Sequence, residues 1–313
     1  MISIDSLERG KSYVPDRVRQ ITGKSFHNYQ INLCNIKAAH HVFEIEKNID
    51  GVIHFAAYKM VGESVEKPLR YYGNNLISLM NVLICLREMN IPNFIFSSSS
   101  AVYGNVTTLP VKEDTPAHEQ ASPYGRTKYF GEKMIADIHN IHNFKTLILR
   151  YFNPAGGHES ALLGEPIEKN PLNIIPSITR TAAGKQGAFT VYGAEYLTRD
   201  GSCIRDYVHV MDVAEAHVMA MEYLMNLSEQ NSYPDIINLG TGNGISVLEI
   251  IAAFERATGI KLSYKIGPPR AGDAIAVYSD IAKAKKVLGW EPKRSLEEMM
   301  LSAWKWELAN KSS

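Results

Sequence analysis

Phe94-Ile95-Phe96-Ser97-Ser98-Ser99-Ser100 is an apolar run that switches at once to hydroxyls, the pattern of a buried strand whose carboxyl end opens onto a polar loop. Upstream, residues 74–89 carry apolar side chains at helical spacing. Gly51-Val52-Ile53-His54-Phe55-Ala56-Ala57 before them reads as a second buried strand, and Ala39, Val42 and Ile45 mark a helix in front of it. Further back, residues 28–33 are extended, 14–22 form a polar helix, and Ile2-Ser3-Ile4 is a strand tail turning at Asp5-Ser6. Downstream, residues 124–138 are helical and Thr146-Leu147-Ile148-Leu149-Arg150-Tyr151-Phe152 is another strand covered on both faces. This β-α-β rhythm predicts an α/β fold with a doubly wound parallel sheet. Beyond Asn153 the rhythm breaks into Pro- and Gly-bearing loops. Helices follow at 176–183 and 213–225, a strand at 236–239 and a last helix at 296–308, which predicts a smaller α/β second domain. The expected division is 1–154 and 155–313, with segments near 205–240 returning to the first domain.

The bulk properties narrow the partners. A chain of 313 residues with 45% hydrophobic content buries a substantial core. Lys and Arg number 33 and so do Asp and Glu, so no overall field favours nucleic acid or an anionic membrane, and a small-molecule partner is expected. The three cysteines, Cys34, Cys85 and Cys203, form no CxxC pair and stand beside no His at metal-ligand spacing, which fits free thiols and no metal site. No run approaches the ~18 apolar residues of a membrane span, so the expected location is the cytoplasm.

Tyr124-Gly125-Arg126-Thr127-Lys128 places a phenol and an ammonium four residues apart, on one face of a helix. A cation near a phenol favours the phenolate, which a tyrosine of ordinary pKa near ~10 needs if it is to act as a base at neutral pH. Ser97-Ser98-Ser99, followed by Ala101-Val102-Tyr103-Gly104, presents hydroxyls at a strand's carboxyl end, where ligands of open α/β sheets gather. Each pattern alone also suits an exposed helical pair or a polar turn.

Together, a serine-rich strand end and a downstream YxxxK helix resemble the extended short-chain dehydrogenase/reductase family, with its Rossmann-type sheet. Further segments are similar to the UDP-glucose 4-epimerases within it. These are Phe55-Ala56-Ala57-Tyr58-Lys59-Met60-Val61-Gly62-Glu63-Ser64, Tyr71-Tyr72-Gly73-Asn74-Asn75, Arg150-Tyr151-Phe152-Asn153-Pro154, Arg205-Asp206-Tyr207-Val208-His209-Val210 and Arg270-Ala271-Gly272-Asp273. The resemblance spans nearly the whole chain and implies an NAD-dependent isomerase that interconverts UDP-galactose and UDP-glucose through a 4-keto sugar, as a homodimer through the helices of Asn74 and Tyr124. It implies Tyr124, Lys128 and Ser99 as the catalytic group. NAD would be held by Asp5, Asn32, Leu33, Phe55, Lys59, Asn74, Tyr124, Lys128 and Phe152. The UDP-sugar would be held by Ser99, Asn153, Asn173, Tyr192, Arg205 and Arg270. Arginine's fork of donors suits a diphosphate, although an ion pair or a core tyrosine would look the same in sequence at any one of these positions.

Members of that family begin with a strand, a Gly-rich turn and a helix. This chain opens at the strand after them, with Asp5 in the acidic position, so the first strand and the phosphate-cradling glycine loop are expected to be missing from a truncated or incompletely described chain. Such a chain is expected to lose strand pairing and stability. Asn32 replaces the family's usual aspartate near the adenine. Val277 stands where a side chain limits sugar size, which implies room for an N-acetyl group. Two other readings stay open. A nucleotide-sugar 4,6-dehydratase would need an acid after the serines, where Ser100-Ala101 offer none, and a non-catalytic nucleotide-sugar-binding protein would need no catalytic group at all. Gly240-Thr241-Gly242-Asn243-Gly244 lacks the dinucleotide spacing and reads as a turn with Ser246 capping the next helix. His40, His41 and His209 read as structural, Trp304 and Trp306 as packing, and Met221 with Met225 as core.

Overall fold

The structure is a computed structural model that describes residues 1–117, 120–139, 141–142, 144–166, 171, 173–228, 234–269 and 274–310. The chain runs β1 (Ile2–Ile4), α1 (Val14–Thr22), β2 (His27–Tyr29), α2 (Ile36–Ile45), β3 (Val52–His54), α3 (Val61–Glu66), α4 (Pro68–Glu88), β4 (Asn93–Ser99), a 3-10 turn (Ser100–Tyr103), α5 (Pro123–His139) and β5 (Lys145–Tyr151). It continues with β6 (Asn153–Ala155), α6 (Ile174–Ala182), β7 (Phe189–Tyr192), β8 (Ile204–Arg205), β9 (Tyr207–His209), α7 (Val210–Asn226), β10 (Asp235–Leu239), β11 (Ile245–Ser246), α8 (Val247–Thr258), β12 (Tyr264–Gly267), β13 (Ala276–Val277), α9 (Ala282–Leu288) and α10 (Leu296–Ala309). No helix among the described residues is long and apolar enough to cross a membrane.

The chain divides into two compact units, the first made of Met1–Asn105, Glu113–Tyr151 and Ala216–Asn238, the second of Val106–Lys112, Phe152–Glu215 and Leu239–Ser313. The returning segment therefore begins at Ala216 rather than near 205, because β8 and β9 pair with β11, β13 and β6 inside the second unit. In the first unit β4 lies between β3 and β5 in a sheet of order β10-β5-β4-β3, parallel to both neighbours, while β1 and β2 form a separate parallel pair. Every residue of β4 is buried, as a strand covered on both faces requires. Phe94, Phe96, Leu79, Leu83, Leu86, Ile135 and Ile148 form the core beneath it. Helix α4 begins at Pro68, six residues before the start read from periodicity, because a proline in the first turn has no N–H to leave unpaired.

Two apolar stretches depart from the sequence reading. Strand β3 ends at His54, opposite Phe96, and Phe55 leaves the sheet with about half of its surface, 52%, exposed. Met225 is likewise 51% exposed at the end of α7, although Met221 packs against Gly51.

The second unit holds a three-stranded sheet of order β11-β8-β13 and the parallel pairs β7–β12 and β6–β9. Its core joins Ile178, Val191, Ile250, Phe254, Met299 and Met300. Ser246 and Ser295 each open a helix with a reciprocal capping box, to Glu249 and Glu298. Trp304 packs edge-on against Phe254 at 5.8 Å, and the Trp306 indole donates to the Glu165 carbonyl at 2.6 Å.

The glycine run after β10 is the turn that its spacing suggests, and its amides have an internal acceptor. The fully buried Asp206 carboxylate accepts from Thr241 N and Oγ1 (both 2.7 Å), Gly242 N (3.2 Å), and Ser279 N (3.0 Å) and Oγ (2.5 Å). A Cβ at Gly240 would overlap Asp206 and Ser279, so only glycine lets the loop close on that carboxylate.

Candidate active site

The last three residues of β4 set up the site. Ser97, Ser98 and Ser99 are 0%, 0% and 7% exposed, so each hydroxyl must find a partner inside the protein. Alternation along the strand puts Ser97 and Ser99 on one face and Ser98 on the other. Ser98 Oγ donates to Glu132 Oε1 at 2.5 Å. Ser97 Oγ is joined to His217 Nε2 at 2.8 Å. Ser99 Oγ accepts from Ala101 N at 3.2 Å, closing the 3-10 turn, and lies near enough to the Tyr124 phenol to lower its pKa.

Helix α5 supplies the other groups. Ser122 Oγ accepts from Gly125 N at 3.1 Å, and a Cβ at Gly125 would stand 2.7 Å from the Ala101 carbonyl, so glycine lets the helix start this close to the serine turn. Tyr124, Lys128 and Glu132 follow at four-residue steps along one stripe, all buried. Tyr124 packs with Tyr58 and Tyr71, and burial raises its pKa above the ordinary phenol value while the nearby Ser99 hydroxyl pulls against the rise. The sequence spacing suggested the opposite direction, with Lys128 acidifying the phenol. The difference lies in where the ammonium points: Lys128 Nζ donates to the Ser97 carbonyl at 2.6 Å and sits 4.9 Å over the Phe96 ring. Burial lowers the Lys128 pKa to about 8, against the nearby Glu132 carboxylate, which raises it. His54 is pushed down to about 3 by burial and by Lys128, and stays neutral.

Three supporting residues escaped the sequence reading. Asn75 Oδ1 accepts from Tyr58 N at 2.8 Å, and its amide donates to Tyr58 O and to Thr127 Oγ1, both at 3.0 Å. It thereby ties the loop after β3 to α5 midway between Tyr124 and Lys128. Glu132 forms a bidentate pair with Arg150 at 2.6 and 3.0 Å, with both side chains 6% exposed. Only the four-residue spacing of Glu132 from Lys128 signalled this pair. His217, two turns into α7, could not be anticipated, because 120 residues separate it from Ser97.

The other expected residues of the first unit are placed as follows. The Asp5 carboxylate is exposed after β1 and accepts from Leu7 N at 2.7 Å. Asn32 is exposed and accepts from Cys34 N at 2.8 Å, while the Leu33 side chain is core and its carbonyl accepts from Asn81 at 2.7 Å. Phe55 lies 4.5 Å from His217, Lys59 is exposed, and Asn74 donates to Asn75 Oδ1 at 3.0 Å. In the second unit, Phe152 is buried and donates its backbone N–H to Leu239 O, and Asn153 is an exposed residue of β6 opposite Tyr207. Asn173 precedes α6 and donates to Glu165 at 2.6 Å, and Tyr192 is 37% exposed at the end of β7. Arg205 on β8 is in register with Val277 on β13. Arg270 and its motif, Arg270-Ala271-Gly272-Asp273, lie outside the described residues.

Over 311 residues the sequence is 41% identical to the UDP-glucose 4-epimerase of Bacillus subtilis (strain 168), with 99% of this chain and 90% of that protein aligned. The chain belongs to the UDP-glucose 4-epimerase family. A solved UDP-glucose 4-epimerase from Stenotrophomonas maltophila, with bound NAD and formylated UDP-arabinopyranose, matches this fold with a TM-score of 0.94 at 38% identity, covering 98% of this chain and 90% of that one. The enzyme from Bifidobacterium longum, in complex with NAD+ and UDP, matches with a TM-score of 0.90 at 41% identity, covering 99% and 91%. The family model described as GDP-mannose 4,6 dehydratase also matches, over residues 6–302. The epimerase family lies within this broader likeness, and the turn Ser100–Tyr103 after Ser99 carries no carboxylate of the kind a dehydratase needs.

Proposed function

We propose that this chain is a UDP-hexose 4-epimerase that interconverts UDP-galactose and UDP-glucose, with Tyr124, Ser99 and Lys128 as its catalytic residues. The observation that carries the proposal is the buried Tyr124 phenol near Ser99 at the carboxyl end of the central strand, with buried Lys128 one helical turn further along α5. The residues present fit NAD. The side chain of Phe55 is half-exposed beside the site, Lys128 brings a cation, and the Asp5 carboxylate at the end of a parallel strand suits ribose hydroxyls. When bound, NAD supplies a hydride acceptor for the sugar C4 and, in its oxidised form, a positive charge that favours the phenolate. Tyr124 would take the proton from O4 and later return it to the same oxygen. Ser99 holds O4 by a hydrogen bond. Lys128 supplies positive charge and a donor at the edge of the site. In the second unit, Asn153, Asn173, Tyr192, Arg205 and Arg270 hold the UDP group, the arginines against the diphosphate.

The test is to supply the purified chain with NAD and UDP-galactose and follow UDP-glucose. Interconversion to a common equilibrium from either side is expected. Binding of UDP-galactose without conversion would instead favour a non-catalytic sugar-nucleotide binder.

By the family resemblance Val277, in register with Arg205, stands at the position that limits sugar size, and its modest side chain supports a wider substrate range. UDP-GlcNAc should therefore be epimerised alongside UDP-glucose, and Val277→Tyr should lower activity on the N-acetyl sugar by tenfold or more, on the order of the discrimination a filled pocket provides, with little effect on UDP-glucose. Equal losses on both sugars would count against this reading.

The exposed faces of α4 and α5 support a homodimer. Ile77, Met80 and Phe130 are each exposed by more than 40%, at 41%, 43% and 43%, and the Phe130 ring lies tilted against Tyr72 at 6.3 Å. Sedimentation is expected to give twice the 34.9 kDa chain mass, and Met80→Glu to halve it. A wild-type chain that sediments as a single copy at all concentrations would contradict the dimer. A reducing, cytoplasmic location accords with three free cysteines.

A further inference from the structure

Lys128, Ser97 and His217 form a buried chain of contacts: the ammonium donates to the Ser97 carbonyl at 2.6 Å, and the Ser97 hydroxyl is joined to His217 Nε2 at 2.8 Å. The three residues are 3%, 0% and 2% exposed. Pairing between β3 and β4 stops at His54–Phe96, one residue before Ser97, so on that side the ladder does not hold the strand at this level. The imidazole is itself packed, 4.5 Å from the Phe55 ring and 6.2 Å from Tyr151.

We propose that His217 is a positioning residue for the Lys128 ammonium, acting through Ser97: it fixes the serine whose carbonyl oxygen the ammonium rests on. The proposal rests on the reading of Lys128 as a catalytic residue. One residue supplies both the hydroxyl that His217 holds and the carbonyl that Lys128 needs, so holding the side chain restrains the peptide. An imidazole can do this without bringing a carboxylate's charge into a pocket where Glu132 already balances Lys128. The titratable groups that act on the ammonium or feel its charge are His54 from β3 and Glu132 from α5, while Tyr124 stands one turn earlier on α5 with Tyr151 of β5 beside it. None of these touches the Ser97 carbonyl. A hydrogen bond to the charged form stabilises it, so loosening that carbonyl makes the ammonium easier to deprotonate.

The test compares His217→Phe, His217→Gln, Ser97→Ala and the double variant His217→Phe with Ser97→Ala, each checked for folding by urea unfolding. His217→Phe and Ser97→Ala should each lower kcat about tenfold, equivalent to 1.36 kcal/mol of barrier, with KM for UDP-galactose within about twofold. The alkaline limb of the kcat profile should move toward lower pH by about one unit. The double variant should lose no more than either single one, as expected for residues acting in series. His217→Gln, which keeps a hydrogen-bonding group facing the serine, should retain most of the activity. Crystal structures give a readout independent of turnover: the 2.6 Å contact between Lys128 and Ser97 should be lost or lengthened in His217→Phe and kept in His217→Gln. An unchanged contact in His217→Phe, an unshifted alkaline limb, or additive losses in the double variant would overturn the proposal. If the unaltered chain shows no epimerisation, the functional reading fails, whereas the crystal structures still decide whether His217 holds the contact.

Discussion

Tyr124→Phe is expected to lower kcat for UDP-galactose by about 10²–10⁴-fold, the range a positioned proton-transfer group supplies. Affinity for UDP should stay within about twofold, since the residues proposed to bind the nucleotide belong to the second unit. The size of the loss follows from the surroundings of the phenol. It is 6% exposed, so bulk water does not stand ready to replace it, and burial holds the neighbouring Tyr151 and Tyr71 phenols well above the ordinary phenol range. Removing the single oxygen leaves the packing with Tyr58 and Tyr71 in place, so the fold should survive. Steady-state kinetics with UDP titration calorimetry separates the two effects. Turnover within threefold of the unaltered chain would mean that the proton moves through another group.

Arg150→Met is expected to destabilise the first unit by about 3–5 kcal/mol, the cost of breaking a buried pair and leaving one charge behind. Glu132 would keep the Ser98 hydroxyl and the nearby charge of Lys128 but lose its bidentate partner, and the place of Arg150 over the Tyr103 ring, 4.7 Å from the centroid, is given up as well. Set against a typical stability of roughly 5–15 kcal/mol, this removes from about a fifth of the stability to all of it. Replacing both partners, with Glu132→Gln and Arg150→Met together, should cost less than Arg150→Met alone, because no carboxylate is left buried without its cation. Urea denaturation of the two variants beside the unaltered chain checks the ordering. A single variant within about 1 kcal/mol of the unaltered chain would show that the pair is not the support it is taken to be.

Much of this architecture was legible in the sequence because it is carried by local periodicity. The bounds of α1 were read to the residue, and β4, β5, α5 and α10 to within a few residues, since buried strands and amphipathic helices leave patterns in consecutive positions. Tyr124, Lys128 and Ser99 were legible for a related reason: two of them are spaced by one helical turn, and the third ends a strand. What sequence spacing could not supply was direction. It put Lys128 on the same face as Tyr124, yet the long lysine stem reaches the Ser97 carbonyl instead, and burial then raises the phenol's pKa. Phe55 shows the same limit, because an apolar run does not reveal where its pairing partner stops. The links from Glu132 to Arg150, from Asn75 to Thr127 and from Ser97 to His217 were illegible since they join positions far apart in the chain.

The central claim is that the sugar is oxidised and reduced at C4 while Tyr124 carries the O4 proton. It is tested most directly with UDP-galactose bearing deuterium at C4, incubated with the chain and NAD in ordinary water. The account predicts UDP-glucose that retains the deuterium at C4. Loss of the label to solvent, or a 4-keto-6-deoxy sugar as the product, would contradict it.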